Sequence, residues 1–257
     1  MRPSDRTSMG GPNERFLATD WTVILRAQGR NKQSRRAALG ELVGRYWKPV
    51  YAYLRRKGNS NEEAKDLTQG FFERVVLGRG LVQKANRAKG RFRNFLLRSL
   101  ELYARGVHRA KTAKRRRPDG GLVPLDGLES FNVPEPADGV TPEECFNFNW
   151  AAALLEEVVE EVKHQCRTFH EQVHWELFHA RVLKPITEGS TPPSIAELCA
   201  RHGIASTAKA SNMIVTVKRR FRATLMCQVR PLVGSDAEVD DEIRDLLEIL
   251  SRNGARS

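Results

Sequence analysis

The sequence lacks any apolar run long enough to cross a membrane, and Met1 to Gly11 contains no apolar core of a signal peptide. We therefore expect a cytoplasmic protein that does not associate with membranes. Alternating apolar and polar residues, the pattern typical of strands, are also missing. At 257 residues, the chain is nonetheless long enough for one or two domains with a sizeable core.

Cysteine is scarce and scattered, and no two cysteines form a C-x-x-C pair. Such a distribution favours buried or free thiols in a reducing compartment over a disulfide framework. No metal site and no cofactor are expected, and the chain is not expected to be an enzyme. The cysteines are Cys145, Cys166, Cys199 and Cys227.

Positive charge is abundant and concentrated in one segment. The formal net charge is +12, and the stretch from Lys84 to Arg117 contains 13 Lys and Arg residues against one acid, Glu101. A solvated basic face is one interpretation. The density favours the other, a binding site for nucleic acid.

Apolar residues recur at helical spacing almost everywhere, which predicts an all-α protein. We expect a disordered N-terminus over residues 1–17 and a helical domain over residues 18–117. Within that domain, Ser60 and Glu63 form a capping-box pattern at the start of a helix. The inward-facing residues predicted for its main helices are Leu39, Leu42, Val43, Tyr46, Trp47, Val50, Tyr51 and Leu54, then Ala64, Leu67, Phe71, Phe72 and Val75, then Phe92, Phe95, Leu96, Leu100 and Tyr103.

Residues 118–140 are rich in proline and glycine, which predicts a flexible linker. Thr141 and Pro142 then begin a second helical domain over residues 141–233, with an N-cap and a proline at the first helical position. Inside it, Ser194 and Glu197 open a short helix, Gly203 supplies a turn, and a longer helix follows. Two helices joined in this way predict a helix-turn-helix, with a plain structural hairpin as the alternative.

Six short motifs resemble the extracytoplasmic-function group of bacterial sigma factors, in the same order and with similar separations. Residues 46–54 (YWKPVYAYL), 63–69 (EAKDLTQ) and 90–97 (GRFRNFLL) are similar to region two of that group. Residues 175–178 (WELF), 195–198 (IAEL) and 218–222 (KRRFR) are similar to region four. The resemblance covers roughly residues 18–230.

The resemblance implies core RNA polymerase and promoter DNA as partners, and it implies three surfaces. The first would dock on the clamp of the polymerase, and its residues are Glu62, Glu63, Asp66 and Gln69. The second would capture and help to open the promoter element near the start site, through Arg91, Arg93, Asn94, Arg98, Arg105, Arg109, Lys111 and Lys114. The third, on the helix-turn-helix, would read a more distant duplex element through Thr207, Lys209, Ser211, Asn212, Thr216, Lys218, Arg219, Arg220 and Arg222.

These roles also make physical sense without the resemblance. Opening a duplex requires cations for the phosphates and aromatic or polar groups for unstacked bases. Phe92 and Phe95 lie among the arginines and either hold bases or pack in the core. A reader of the major groove needs short polar side chains near the start of its helix, and Thr207 and Ser211 meet that need.

The sequence suggests more than one way in which the activity of such a factor is regulated. Gly70 stands where a glutamate is common in the group, so phosphorylation of the neighbouring Thr68 by a regulatory kinase would restore negative charge. An ordinary surface threonine is the alternative. An inhibitory protein is a further candidate partner. The acidic helix expected over residues 234–257, capped by Ser235, either packs on the second domain or covers its DNA-binding surface.

One motif points to different chemistry. His170, Glu171 and His174 read H-E-x-x-H, a zinc-hydrolase pattern when both histidines lie on one helix. The spacing to His179 does not supply the third ligand of the metzincin motif. We interpret the pattern as coincidence on a structural helix whose Phe169, Val173, Leu177 and Val182 face inward. A stand-alone DNA-binding regulator, or a basic RNA-binding protein, remains the alternative to the sigma factor.

Overall fold

The computed structural model describes residues 21–78, 80–115, 139–233 and 235–254, and all side chains in these ranges except those at 111–115, 187 and 252–254. The predicted disordered N-terminus and residues 118–138 of the predicted linker lie outside the described residues. Every regular element within them is a helix, which confirms the all-α prediction. None of these helices is long and apolar enough to span a bilayer.

The chain divides into two compact units, Met1–Trp150 and Ala151–Ser257. The first unit contains helices α1 (Trp21–Gln28), α2 (Lys32–Arg56), α3 (Asn61–Phe71) and α4 (Phe92–Arg115). A π-helical segment, Phe72–Gly78, continues α3. Two short 3₁₀ turns, Val82–Lys84 and Arg87–Lys89, precede α4.

Local capping determines where the helices of the first unit begin. The Asn31 side chain accepts a hydrogen bond from the amide of Ser34 at the start of α2. Ser60 and Glu63 form the predicted capping box at the start of α3, each side chain bonding the backbone N–H of the other. Each cap satisfies amide groups that have no partner within the helix.

Aromatic rings hold the helices of the first unit together. Phe92 of α4 lies edge-on to Trp21 of α1 and to Tyr46 of α2, with ring centroids 6.4 and 5.7 Å apart. Phe92 is only 4% exposed, so it belongs to the core. Phe95 is half-buried and its ring lies 6.3 Å from that of Phe92, so packing also accounts for this side chain.

Helix α5 (Pro142–Thr168) begins as the sequence predicts, because Thr141 Oγ1 accepts a hydrogen bond from the amide of Glu144 at 3.1 Å. The second domain is predicted to start at residue 141, whereas the boundary between the two units falls inside α5, after Trp150. The first residues of α5 pack in the first unit because they are large and apolar. Phe146 stacks on Tyr46 with centroids 6.3 Å apart, and Trp150 is 6% exposed.

The second unit contains the remaining helices. They are α6 (Gln172–Phe178), α7 (Lys184–Glu188), α8 (Ile195–His202), α9 (Thr207–Val229) and α10 (Val239–Gly254), with a π-helical segment, His179–Leu183, between α6 and α7. Helix α6 packs on α9, where the rings of Phe178 and Phe221 lie 5.8 Å apart.

The acidic helix α10 packs on α9 and buries Val239, Glu242 and Leu246. The prediction that Ser235 caps this helix is wrong. Its hydroxyl lies 3.0 Å from the carboxylate of Glu238, a short 3₁₀ turn follows, and α10 begins only at Val239.

Candidate nucleic-acid interface

One face of α4 carries three of the five cations with described side chains that are assigned to the promoter element near the start site. Residues spaced three or four apart lie on the same side of a helix. Five residues with this spacing form a face that we call the basic stripe, and all five are exposed. They are Asn94, Arg98, Leu102, Arg105 and Arg109.

Glu101 holds two cations of the basic stripe in place. Its carboxylate, 18% exposed, lies 2.8 Å from Arg98 and 3.5 Å from Arg105, whose own side chains are 63% and 57% exposed. Leu102 lies between them and is 56% exposed. The stripe therefore offers charge for phosphates and an apolar contact for a base.

Arg93 does not belong to the basic stripe. It is only 7% exposed, and its guanidinium lies 4.2 Å from the ring centroid of Trp150. The prediction that Arg93 contacts DNA is therefore wrong for this fold, since the side chain is enclosed by α5. Its spacing from Leu96 and Leu100 places it on the apolar face of α4, a signal that was present in the sequence.

The other predicted cations of this segment lie at its ends. Arg91 is half-buried just before α4. Lys111 and Lys114 lie in the last turns of α4, and their side chains are outside the described part of the structure. Three further exposed cations of the same basic segment, for which the sequence predicts no individual role, lie on the 3₁₀ turns before α4; they are Lys84, Arg87 and Lys89.

The residues assigned to polymerase docking lie along α3. Glu62, Glu63 and Asp66 are exposed, and Gln69 is half-buried. Glu62 pairs with Lys65 of the next turn at 3.0 Å, and Gln69 Nε2 donates a hydrogen bond to Glu73 at 2.8 Å. The exposed carboxylates of Glu62, Glu63 and Asp66 together form an acidic face on α3.

Thr68 lies on the opposite side of α3 from that acidic face. It is completely buried, and its hydroxyl donates a hydrogen bond of 2.6 Å to the carbonyl of Ala64. This burial contradicts the predicted phosphorylation of Thr68, because a kinase requires an accessible hydroxyl. Gly70 has a packing reason of its own, since a Cβ there would lie 2.7 Å from the Tyr103 hydroxyl.

In the second unit, α8 and α9 are joined by a short turn. Ser194 and Glu197 form the predicted capping box of α8, and Gly203 ends the helix in the left-handed conformation, with φ of 64°. Ser206 accepts a hydrogen bond from the amide of Lys209 and so begins α9. Most of the residues assigned to duplex recognition are exposed on α9, namely Thr207, Lys209, Asn212, Thr216, Lys218, Arg219 and Arg222, whereas Ser211 is half-buried.

Arg220 is the exception on α9. Its side chain is 19% exposed and lies 2.7 Å from the carboxylate of Glu171, while its other terminal nitrogen donates to the sulfur of Cys166 at 3.0 Å. The guanidinium also lies 5.2 Å from the ring of Phe169. The prediction that Arg220 contacts phosphate is therefore wrong for this conformation, because the side chain joins α9 to α5 and α6.

The turn that Arg220 contacts contains the first residues of the H-E-x-x-H motif. His170 has a φ of 56° and lies in the turn between α5 and α6, so the two histidines do not share a helix. Glu171 is paired with Arg220. Among the described residues, no group of three or more His, Cys, Asp or Glu side chains is placed to hold a metal ion. Phe169, predicted to face inward, is 62% exposed because it lies in this turn.

No protein-family model matches the chain, and neither a curated protein nor a solved structure matches it either.

Proposed function

We propose that the chain is a sigma factor of the extracytoplasmic-function type, which gives promoter specificity to core RNA polymerase in the cytoplasm and performs no covalent chemistry. The basic stripe on α4 is the observation that carries this proposal. Its exposed cations suit the phosphates of a separated strand, and the exposed Leu102 suits the face of an unstacked base.

Two further features support the proposal. The exposed carboxylates of Glu62, Glu63 and Asp66 would bind a basic surface of the polymerase. Helices α8 and α9 would act as a helix-turn-helix, with Asn212 and Thr216 in the major groove and Arg219 and Arg222 on the phosphates. A sigma factor needs all three surfaces, and the six sequence motifs occur in the order that this role requires.

Run-off transcription with bacterial core RNA polymerase on a library of promoter fragments tests the proposal. The full chain should direct transcripts from defined start points. Replacing Arg98, Arg105 and Arg109 together by alanine should abolish them. A matched variant that removes three exposed cations from the first turns of α2, at Lys32, Arg35 and Arg36, should remain active. Equal activity of the two triple variants would rule out the role of the basic stripe.

The second candidate is a DNA-binding regulator that acts without polymerase. It is favoured by the exposed polar and basic face of α9, which would read duplex DNA by itself. Co-purification with core polymerase separates the two functions. If the chain binds duplex DNA sequence-specifically but never joins the polymerase, the regulator is correct. Preference for unrelated RNA over promoter DNA at fixed salt would instead favour an RNA-binding protein.

A further inference from the structure

A cavity of about 350 Å³ lies within the first unit, at the end of α2 and beside α4. Tyr53 of α2, Lys57 at the C-cap of α2, and Arg105 and Arg109 of α4 line it, and Glu143 at the start of α5 completes the wall. The volume lies at the small end of the range for small-molecule sites in proteins, about 300 to 1,000 Å³. None of the motifs in the sequence points to this cavity.

The charges that line the cavity do not cancel. Glu101 is neutralised by Arg98 and Arg105, at 2.8 and 3.5 Å. Glu143 accepts a hydrogen bond from the Tyr53 hydroxyl; burial first, and then this carboxylate, raises the pKa of Tyr53 far above its usual value. The phenol therefore stays protonated and keeps donating to Glu143.

Two cations of the lining remain without a carboxylate partner. Within the described part of the chain, neither Lys57 nor Arg109 forms an ion pair, although the ammonium of Lys57 lies 5.6 Å from the ring centroid of Tyr53. Both side chains are exposed, so they are free to turn towards an anion. A phosphate group is the natural ligand for a lysine and an arginine that converge on one cavity.

Most of the remaining lining is apolar. Leu67, Ala104 and Val107 are half-buried and supply an apolar surface over the fully buried Leu54, while Asn59 supplies an amide and His108 an imidazole. A simple anion would leave this surface in contact with water. A ligand that joins a phosphate to a flat, partly apolar ring would bury it and gain hydrophobic free energy.

We propose that this cavity binds an organic phosphate of the size of a nucleoside monophosphate, with its phosphate on Lys57 and Arg109 and its ring against Leu67, Ala104 and Val107. Arg109 and Arg105 belong both to the cavity and to the basic stripe. A bound ligand would therefore compete with single-stranded DNA for these arginines. This competition, unlike the binding itself, rests on the proposed function.

Isothermal titration calorimetry of the full chain with AMP, GMP and inorganic phosphate tests the site. AMP or GMP should bind with one-to-one stoichiometry, and at least tenfold more tightly than inorganic phosphate. Lys57→Ala should weaken that binding about tenfold, as expected for the loss of one charge-assisted contact. Ala104→Trp should abolish it by filling the cavity. Lys32→Ala removes an exposed cation from the other end of α2 and should have no effect.

Binding of neither nucleotide would overturn the proposal, and so would equal affinity for inorganic phosphate. Unchanged affinity in Lys57→Ala would place the ligand elsewhere. If Ala104→Trp does not fold, Lys57→Ala still tests the site, because this exposed side chain can be removed without disturbing the core. Competition is measured by fluorescence anisotropy of a labelled single-stranded oligonucleotide. AMP should release the oligonucleotide from the wild-type chain and do so less effectively from Lys57→Ala. If the chain binds no DNA, calorimetry still decides whether the cavity binds the nucleotide.

Discussion

Arg219 and Arg220 are neighbours in the sequence, yet the structure gives them different roles, and replacing each by alanine separates those roles. Arg220 bonds Glu171 at 2.7 Å, and the two side chains are 19% and 26% exposed. Breaking a buried ion pair costs about 3–5 kcal/mol, and breaking an exposed pair costs about 0–1 kcal/mol. For this partly buried pair, we expect Arg220→Ala to lower the free energy of unfolding by about 2 kcal/mol.

Arg219 is exposed, so its removal should change the free energy of unfolding by less than about 0.5 kcal/mol. Urea denaturation followed by circular dichroism measures both values. Binding of duplex DNA should respond in the opposite way. Loss of one phosphate contact reduces the slope of log K against log salt by about 0.9, and we expect this change in Arg219→Ala only.

Glu171→Gln provides the internal control, because the neutral amide weakens the same ion pair from its other side. Combining it with Arg220→Ala should cost less than the sum of the two single changes, since both remove one interaction. A stable Arg220→Ala protein with a reduced salt slope would refute the reasoning. It would mean that Arg220 leaves Glu171 and contacts DNA.

Three other predictions concern the first unit and the thiols. Gly70→Ala should lower the free energy of unfolding by about 1–3 kcal/mol, because its Cβ would meet the Tyr103 hydroxyl at 2.7 Å. Adding Tyr103→Phe should restore part of the loss. Gly44→Ala, in open space on α2, is the control and should instead stabilise the protein by about 0.5–1 kcal/mol in the same urea assay. Thr68→Glu should unfold the first unit or cost more than about 3 kcal/mol, seen as lost helicity, because it buries an unpaired charge; a stable, active Thr68→Glu protein would revive the phosphorylation hypothesis. Cys227 is the one exposed cysteine of four, so a single thiol should react rapidly with a thiol reagent, and a rapid phase that survives Cys227→Ser would contradict the assigned burial.

Local signals in the sequence were sufficient for the helix starts. The capping boxes at Ser60 and Ser194 and the N-cap at Thr141 were correctly predicted because a cap involves only residues three positions apart. The same reasoning failed at Ser235. The cap pattern there is followed by a 3₁₀ turn, so the α-helix begins three residues later than the pattern suggests.

Local patterns in the sequence did not predict contacts between residues that are distant in the chain. The sequence could place Arg93 on the apolar face of α4, but it could not show that Trp150 of α5 would cover it. Thr68 is buried because α3 presents this side to the core, although the acids around it suggested a surface position. The cavity near Tyr53 was invisible for the same reason, since its walls come from four helices that are distant in the sequence.

The cations on α4 repel one another, and only part of this repulsion is relieved by a carboxylate within the helix. Like charges four residues apart destabilise a helix by about 0.2–0.5 kcal/mol per pair. Glu101 bridges Arg98 and Arg105, but Arg105 and Arg109 have this spacing, and no carboxylate among the described residues pairs with Arg109. The helix therefore retains repulsion that a polyanion would relieve on binding. The unbridged end of the stripe is also the end that borders the cavity, so a strand of DNA and a small phosphate would gain free energy from the same unpaired charge.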